Sequence, residues 1–119
     1  EFLEYGDKKD VLCKDLSRGT RQKLMLTQAF IHNPELALID EPLINFDPVM
    51  QDKVKSFFVS YTKQGKTLFI STHLLDTAEE ICTNVAILHL GELLYTGTME
   101  KVRQEGRHLS DLFLSLVRK

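Results

Sequence analysis

Apolar residues along this chain fall into two alternating rhythms: short continuous runs of strand length, and spacings of three and four. Residues 1–15 (EFLEYGDKKDVLCKD) read as the end of a short helix and a polar connection. From Ser17 the recurrence of Leu24, Met25, Gln28 and Ala29, extended by Ile31, predicts a helix. Asn33-Pro34 stops it, because proline has no N–H to donate and restricts the residue before it. LALID (36–40) follows, an apolar run of strand length that suits a strand covered on both faces in a parallel sheet. Residues 43–48 read as a loop, with Pro48 placed to open a helix whose apolar face is Val54, Phe57, Phe58 and Tyr61. Gly65 lies just past its end.

TLFIST is a second buried strand and DTAEEICT (76–83) a helix with Ala78, Ile81 and Cys82 facing inward. VAILHL is a third strand, and Gly91-Glu92 a turn into ELLYTGT. Met99 to Gln104 starts a helix, and LSDLFLSLVR (109–118) forms an amphipathic one. Strands alternating with helices predict the α/β class, with parallel strands flanked by helices in one compact piece.

Composition narrows the function classes. The hydrophobic share is 43% and the charged share 27%, ordinary for a globular chain. Fifteen basic and seventeen acidic residues leave a net charge of −2, which gives no electrostatic case for nucleic acid as a partner. Apolar runs such as Val85 to Leu88 are strand-sized, far below the ~18 residues of a membrane span. Residues 1–20 carry charges throughout and show no apolar core of a secretory signal. Cys13 and Cys82, far apart and outside any CxxC, read as reduced, buried thiols.

Four short segments carry chemistry. Strand LALID ends in Asp40 and is followed by Glu41, putting two acids at the carboxyl edge where open α/β sheets bind ligands. Such a pair suits Mg²⁺ with a polyphosphate, one carboxylate orienting the metal or its waters and the next accepting a proton from attacking water; its plainer reading is a strand end with solvated charges. Leu16-Ser17-Arg18-Gly19-Thr20 opens a helix with a small, hydroxylated turn that can present N–H groups to an anion; its plainer reading is an N-cap at Ser17. His73, in Ser71-Thr72-His73, follows a buried strand and can donate to a phosphate oxygen, whereas alone it reads as a solvated residue. His32, His89 and His108 have no such setting and read as structural. Asp47-Pro48 is by itself a turn or helix cap. Gly65-Lys66-Thr67 mimics the end of a phosphate-binding loop G-x-x-x-x-G-K-[ST], but Ser60 stands where the first glycine belongs. It also leaves a helix and enters a strand, the reverse of that loop's order.

Taken in order, these pieces resemble the ATP-binding subunits of ABC transporters. LSRGTRQKL resembles the signature motif, LALIDEP the Walker B strand with its glutamate, INFDP the D-loop and STH the switch-histidine loop. The spacings are similar too, with 23 positions from Ser17 to Asp40 and 33 from Asp40 to His73. VAILHLGELLYTGT is similar to the strand and hairpin after the switch histidine, and LSDLFLSLVRK to the closing helix of export-type subunits. The resemblance covers nearly all 119 residues as the C-terminal part of a P-loop NTPase domain, residues 1–119 forming a partial domain.

The resemblance implies that Asp40 holds the Mg²⁺ shell, that Glu41 is the general base, and that His73 contacts the γ-phosphate of ATP. It places Ser17 and Gly19, with Arg18 and Thr20 between and beside them, on the γ-phosphate of ATP held by the other subunit of a head-to-tail dimer. It puts Asp47 at that dimer interface. The implied partners are a second nucleotide-binding subunit and a transmembrane permease, on the cytoplasmic face of the membrane. Two departures stand out. Arg18 and Thr20 replace a glycine and a glutamine of the usual LSGGQ signature, and no Walker A loop, adenine-stacking aromatic or Q-loop precedes it. The residues that hold most of the phosphate are therefore expected upstream, and this chain alone is expected to be inactive. Two other readings compete: an ABC-type ATPase in DNA repair, chromosome organisation or translation, and a split or degenerate product lending its signature helix in trans.

Overall fold

The structure, a computed structural model, describes residues 18–118. It forms two compact units, one ending at Ser71 and the other beginning at Thr72, each with its own core.

The first unit contains α1 (Arg18–Phe30), β1 (Leu36–Asp40), α2 (Pro48–Lys63) and β2 (Thr67–Ser71). α1 ends as the sequence predicts: Asn33 takes a left-handed conformation with φ 51° and its N–H returns to the Phe30 carbonyl at 3.0 Å, just before Pro34. The face of α1 differs from the expected one. Met25 is 63% exposed and Ile31 is also exposed, while Leu26 is buried and Gln22 and Phe30 are half-buried. The inward row is thus 22, 26, 30, spaced by four. Phe30 decides it, because its ring stands edge-on to Phe57 at 5.0 Å and Tyr61 at 4.8 Å, locking α1 to α2.

α2 begins and ends by side-chain chemistry. Asp47 Oδ1 accepts the Met50 N–H at 2.8 Å, Pro48 occupies the first turn, and Gly65 beyond the C-cap takes φ 88°. Met50, Val54, Phe58 and Tyr61 face inward and, with Leu26, Ala37, Leu43 and Phe46, form this unit's core. The Tyr61 hydroxyl donates to the Pro34 carbonyl, so the helix also fixes the entry to β1.

β1 and β2 pair in parallel, register Leu36 with Thr67 through Asp40 with Ser71. Among the described residues these two strands are covered on one face. Ala37 is buried and Ile39, Leu68 and Ile70 are half-buried, but Leu38 is 73% and Phe69 65% exposed, with Leu36 beside them. Helix α2 covers one face among the described residues, and the pleat sends alternate side chains to the other.

The second unit contains α3 (Leu75–Ile81), β3 (Asn84–His89), β4 (Glu92–Thr98), α4 (Met99–Gln104) and α5 (Leu109–Val117). β3 pairs antiparallel with β4, so among the described residues the parallel pairing is that of β1 with β2. Leu90 (φ 49°) and Gly91 (φ 80°) make the hairpin turn with two consecutive left-handed residues, the arrangement whose twist suits a two-residue loop. Leu94 is one residue too many for the ladder, a bulge between the Ile87–Tyr95 and Leu88–Leu93 pairs. Ile87, Met99, Val102, Leu109 and Leu112 form the core, with Ala78 of α3 packed against it.

Glu79 ties α3 to α5. Its Oε1 accepts the Leu109 N–H at 2.5 Å, and Oε2 lies 3.0 Å from His108 Nδ1. Asp111 accepts the His108 N–H at 3.3 Å. A carboxylate from another helix therefore satisfies a backbone donor that α5 cannot satisfy for itself. The hydrogen bond to His108, then that to the Leu109 N–H, lowers the Glu79 pKa, and the same Glu79 bond raises that of His108. The lowered Glu79 contributes stability above its ordinary value, about 4.3, which is lost as pH falls through its folded value. The raised His108 contributes below its ordinary value, about 6.5, and that share is lost as pH rises through its folded value. The opening free energy of α5 amides, from hydrogen exchange corrected for intrinsic rates, is therefore expected to be greatest between those two values and to fall towards alkaline pH. His108→Ala should remove the alkaline fall and shrink the acid one to the share that the Leu109 N–H bond supplies.

Candidate functional site

The parallel register brings Asp40 and Ser71 together as the last partners of β1 and β2, at the carboxyl end of the sheet. Ser71 Oγ donates to Asp40 Oδ1. Asp40 is exposed there. Among the described residues no group of three or more histidine, cysteine or acidic side chains is placed to hold a metal by itself. One exposed carboxylate beside a hydroxyl fits Mg²⁺, which takes one or two protein carboxylates and fills its remaining positions with water and phosphate oxygens.

Glu41 follows at a break in the backbone. Its N–H donates to the Ser71 carbonyl at 2.7 Å, the last bond of the sheet, and its φ is 47°. A left-handed conformation costs a residue with a Cβ roughly 1–2 kcal/mol, so the neighbourhood must hold it. Pro42 and Leu43 are buried, anchoring the chain immediately after Glu41 in the core. From there a tight loop leads through Asn45, also left-handed at φ 71°, to buried Phe46 and the α2 cap at Asp47.

The start of α1 lies against this loop. Gln22 Nε2 donates to the carbonyls of Glu41 at 3.2 Å and Pro42 at 2.9 Å. A Cβ on Gly19 would lie 3.1 Å from the Asn45 carbonyl oxygen, so glycine there permits the approach. The structure thus gathers Gly19, Asp40, Glu41 and the loop ending at Asp47 in one unit. Arg18 is the first residue of α1 and Thr20 is half-buried in its first turn. Ser17 and Cys13 lie outside the described residues. His73 belongs to the second unit, exposed in a turn where the Thr72 hydroxyl accepts the Leu74 N–H at 3.0 Å. Cys82 is a free, half-buried thiol, and burial pushes its pKa up.

The apparent phosphate loop at Gly65-Lys66-Thr67 has a structural occupation. Lys66 Nζ pairs with Glu35 at 2.7 Å, and the Thr67 N–H donates to the Glu35 carbonyl at 2.9 Å. These contacts join the amino ends of β1 and β2, the opposite end of the sheet from Asp40.

Sequence reasoning missed Gln22, Gln51, whose Nε2 donates to the carbonyls of Leu43 and Phe46, and the part played by Ser71. Ser71 was reachable by laying TLFIS beside LALID in parallel, which sets it opposite Asp40. Nothing in the sequence marks the two glutamines, since their partners are backbone carbonyls of a loop.

Asp47 has a defined structural task, and its removal has a calculable cost. Asp47→Ala should lower unfolding free energy by about 1 kcal/mol, and Asp47→Asn by less, because asparagine also caps helices. Urea unfolding of the three proteins measures this.

No protein-family model matches the chain. It is 37% identical to the uncharacterised ABC transporter ATP-binding protein YthP of Bacillus subtilis (strain 168), over 85% of this chain and 44% of that protein. It is 33% identical to Nod factor export ATP-binding protein I of Neorhizobium galegae, over 82% of this chain and 28% of that protein. Its fold is similar to that of a solved ATP-binding subunit of an ABC transporter, with TM-score 0.81 and 32% identity over 89% of this chain and 46% of the other. The chain therefore spans less than half the length of these proteins.

Proposed function

The chain belongs to the ATP-binding proteins of ABC transporters, with the α/β fold of their P-loop NTPase domain, and we propose that it supplies the carboxylate side of an ATP-hydrolysing site. The observation that carries this is the carboxyl edge of β1. Asp40 is paired there with Ser71, and Glu41 follows in a constrained backbone against the start of α1.

In this reading Asp40, with Ser71, holds the hydrated shell of Mg²⁺, which would neutralise phosphate charge. Glu41 accepts the proton of the attacking water or polarises it. His73 donates to the γ-phosphate. Ser17, Gly19 and their neighbours Arg18 and Thr20 offer backbone and hydroxyl donors to the γ-phosphate of ATP held by a second subunit. Asp47 reaches the interface between the two subunits while capping α2. Residues 1–119 contain no G-x-x-x-x-G-K-[ST] loop, so in this reading they do not by themselves grip and turn over ATP.

Coupling the opening and closing of such a dimer to a membrane permease gives transport, at the cytoplasmic face of the membrane. No helix among the described residues is long and apolar enough to cross a membrane. Export is the favoured direction, on the amphipathic α5 at the end of the chain and on a relative named for export. Names of relatives also favour transport over a role in DNA repair, chromosome organisation or translation.

ATPase assays on the full-length protein test this directly. Glu41→Gln should lower kcat by roughly 10²- to 10⁴-fold while leaving ATP binding in place. Turnover unchanged by Glu41→Gln would remove Glu41 from the chemistry and the reading with it.

A further inference from the structure

Glu41 can act as a base only if its carboxylate is aimed, and its backbone sits in a conformation that a residue with a side chain avoids. Something must keep it there. We propose that Gln22 is a positioning residue for Glu41, with Gln51 holding the far end of the same loop; this deepens the reading of Glu41 as the base and rests on it.

A single side-chain nitrogen, Gln22 Nε2, reaches two successive carbonyls, Glu41 at 3.2 Å and Pro42 at 2.9 Å. In extended backbone successive carbonyls point to opposite sides of the chain, and one amide cannot receive both. They converge here because the chain turns at Glu41. The amide therefore favours the turned conformation over the extended one that would otherwise continue β1. Gln51 Nε2 makes a matching pair of contacts, with the carbonyls of Leu43 at 3.4 Å and Phe46 at 3.3 Å. Four carbonyls of the loop between β1 and α2 are received by two glutamines, one from each flanking helix. Gln22 also stands in the inward row of α1 with Leu26 and Phe30, where a polar side chain requires hydrogen-bond partners. The loop supplies them.

The test replaces Gln22 in the full-length protein by methionine, of similar length but without a donor, and by glutamate, whose oxygens face the carbonyls. The first readout is the Glu41 backbone torsion, from three-bond H–N–Cα–H couplings and ¹³C shifts. The second is ATP turnover. In Gln22→Met, Glu41 should leave the positive-φ region and kcat should fall about tenfold to a hundredfold, with KM for ATP within about twofold. Gln22→Glu should be worse. A Glu41 torsion unchanged in both variants overturns the proposal, whatever the rates. If the torsion shifts yet Glu41→Gln leaves turnover intact, the clamp stands and the catalytic role of Glu41 falls. Should Gln22→Met fail to fold, adding Glu41→Gly must restore folding, since glycine takes a positive φ without a clamp. Failure of that rescue also counts against the proposal.

Discussion

In-register parallel pairing of β1 with β2 is the constraint from which the first unit's chemistry follows. Five consecutive pairs, Leu36–Thr67 to Asp40–Ser71, set an acid and a hydroxyl side by side at the carboxyl edge. They also leave the salt bridge of Lys66 with Glu35 at the other end. A slip of one residue would send every side chain of a strand to the opposite face, moving Ala37 out of the core and Asp40 away from Ser71. The register is held from outside the ladder as well, by Tyr61 on the Pro34 carbonyl and by the aromatic contacts of Phe30 with Phe57 and Tyr61.

From that edge the chain must turn sharply to reach α2. It does so through two left-handed residues, Glu41 and Asn45, with buried Pro42, Leu43 and Phe46 as anchors between and beside them. The loop therefore buries three apolar side chains together with part of its polar backbone. The side chains stabilise by burial, and the carbonyls find partners in Gln22 and Gln51. The second unit solves a similar problem at α5, whose first turn borrows the Glu79 carboxylate from α3.

Much of this was legible in the chain. The helix break at Asn33-Pro34, the opening of α2 at Asp47-Pro48 and the strand carrying Asp40 all came from local rules of proline, capping and apolar run length. Four spaced motifs gave the expected site residues, of which the structure brings Gly19, Asp40, Glu41 and the loop to Asp47 together in one unit. What local pattern misjudged was the direction of faces. Met25 and Ile31 fit a helical spacing as well as Leu26 and Phe30 do, and only the aromatic contacts with α2 distinguish them. Strands LALID and TLFIS read as covered on both faces, and among the described residues one face is covered. Leu38 and Phe69 are instead exposed. Contacts between a side chain and a distant carbonyl, as at Gln22, leave no periodic trace at all.

The central claim is that these 119 residues carry the carboxylates of an ATP site without the loop that grips the phosphates. Calorimetric titration of the 119-residue chain with MgATP tests it most directly, with Lys66→Ala alongside. The expected result is no binding tighter than about 1 mM in either protein, because Lys66 is engaged by Glu35 at the amino end of the sheet. Micromolar binding that disappears with Lys66→Ala would contradict the claim and make Gly65-Lys66-Thr67 a true phosphate loop.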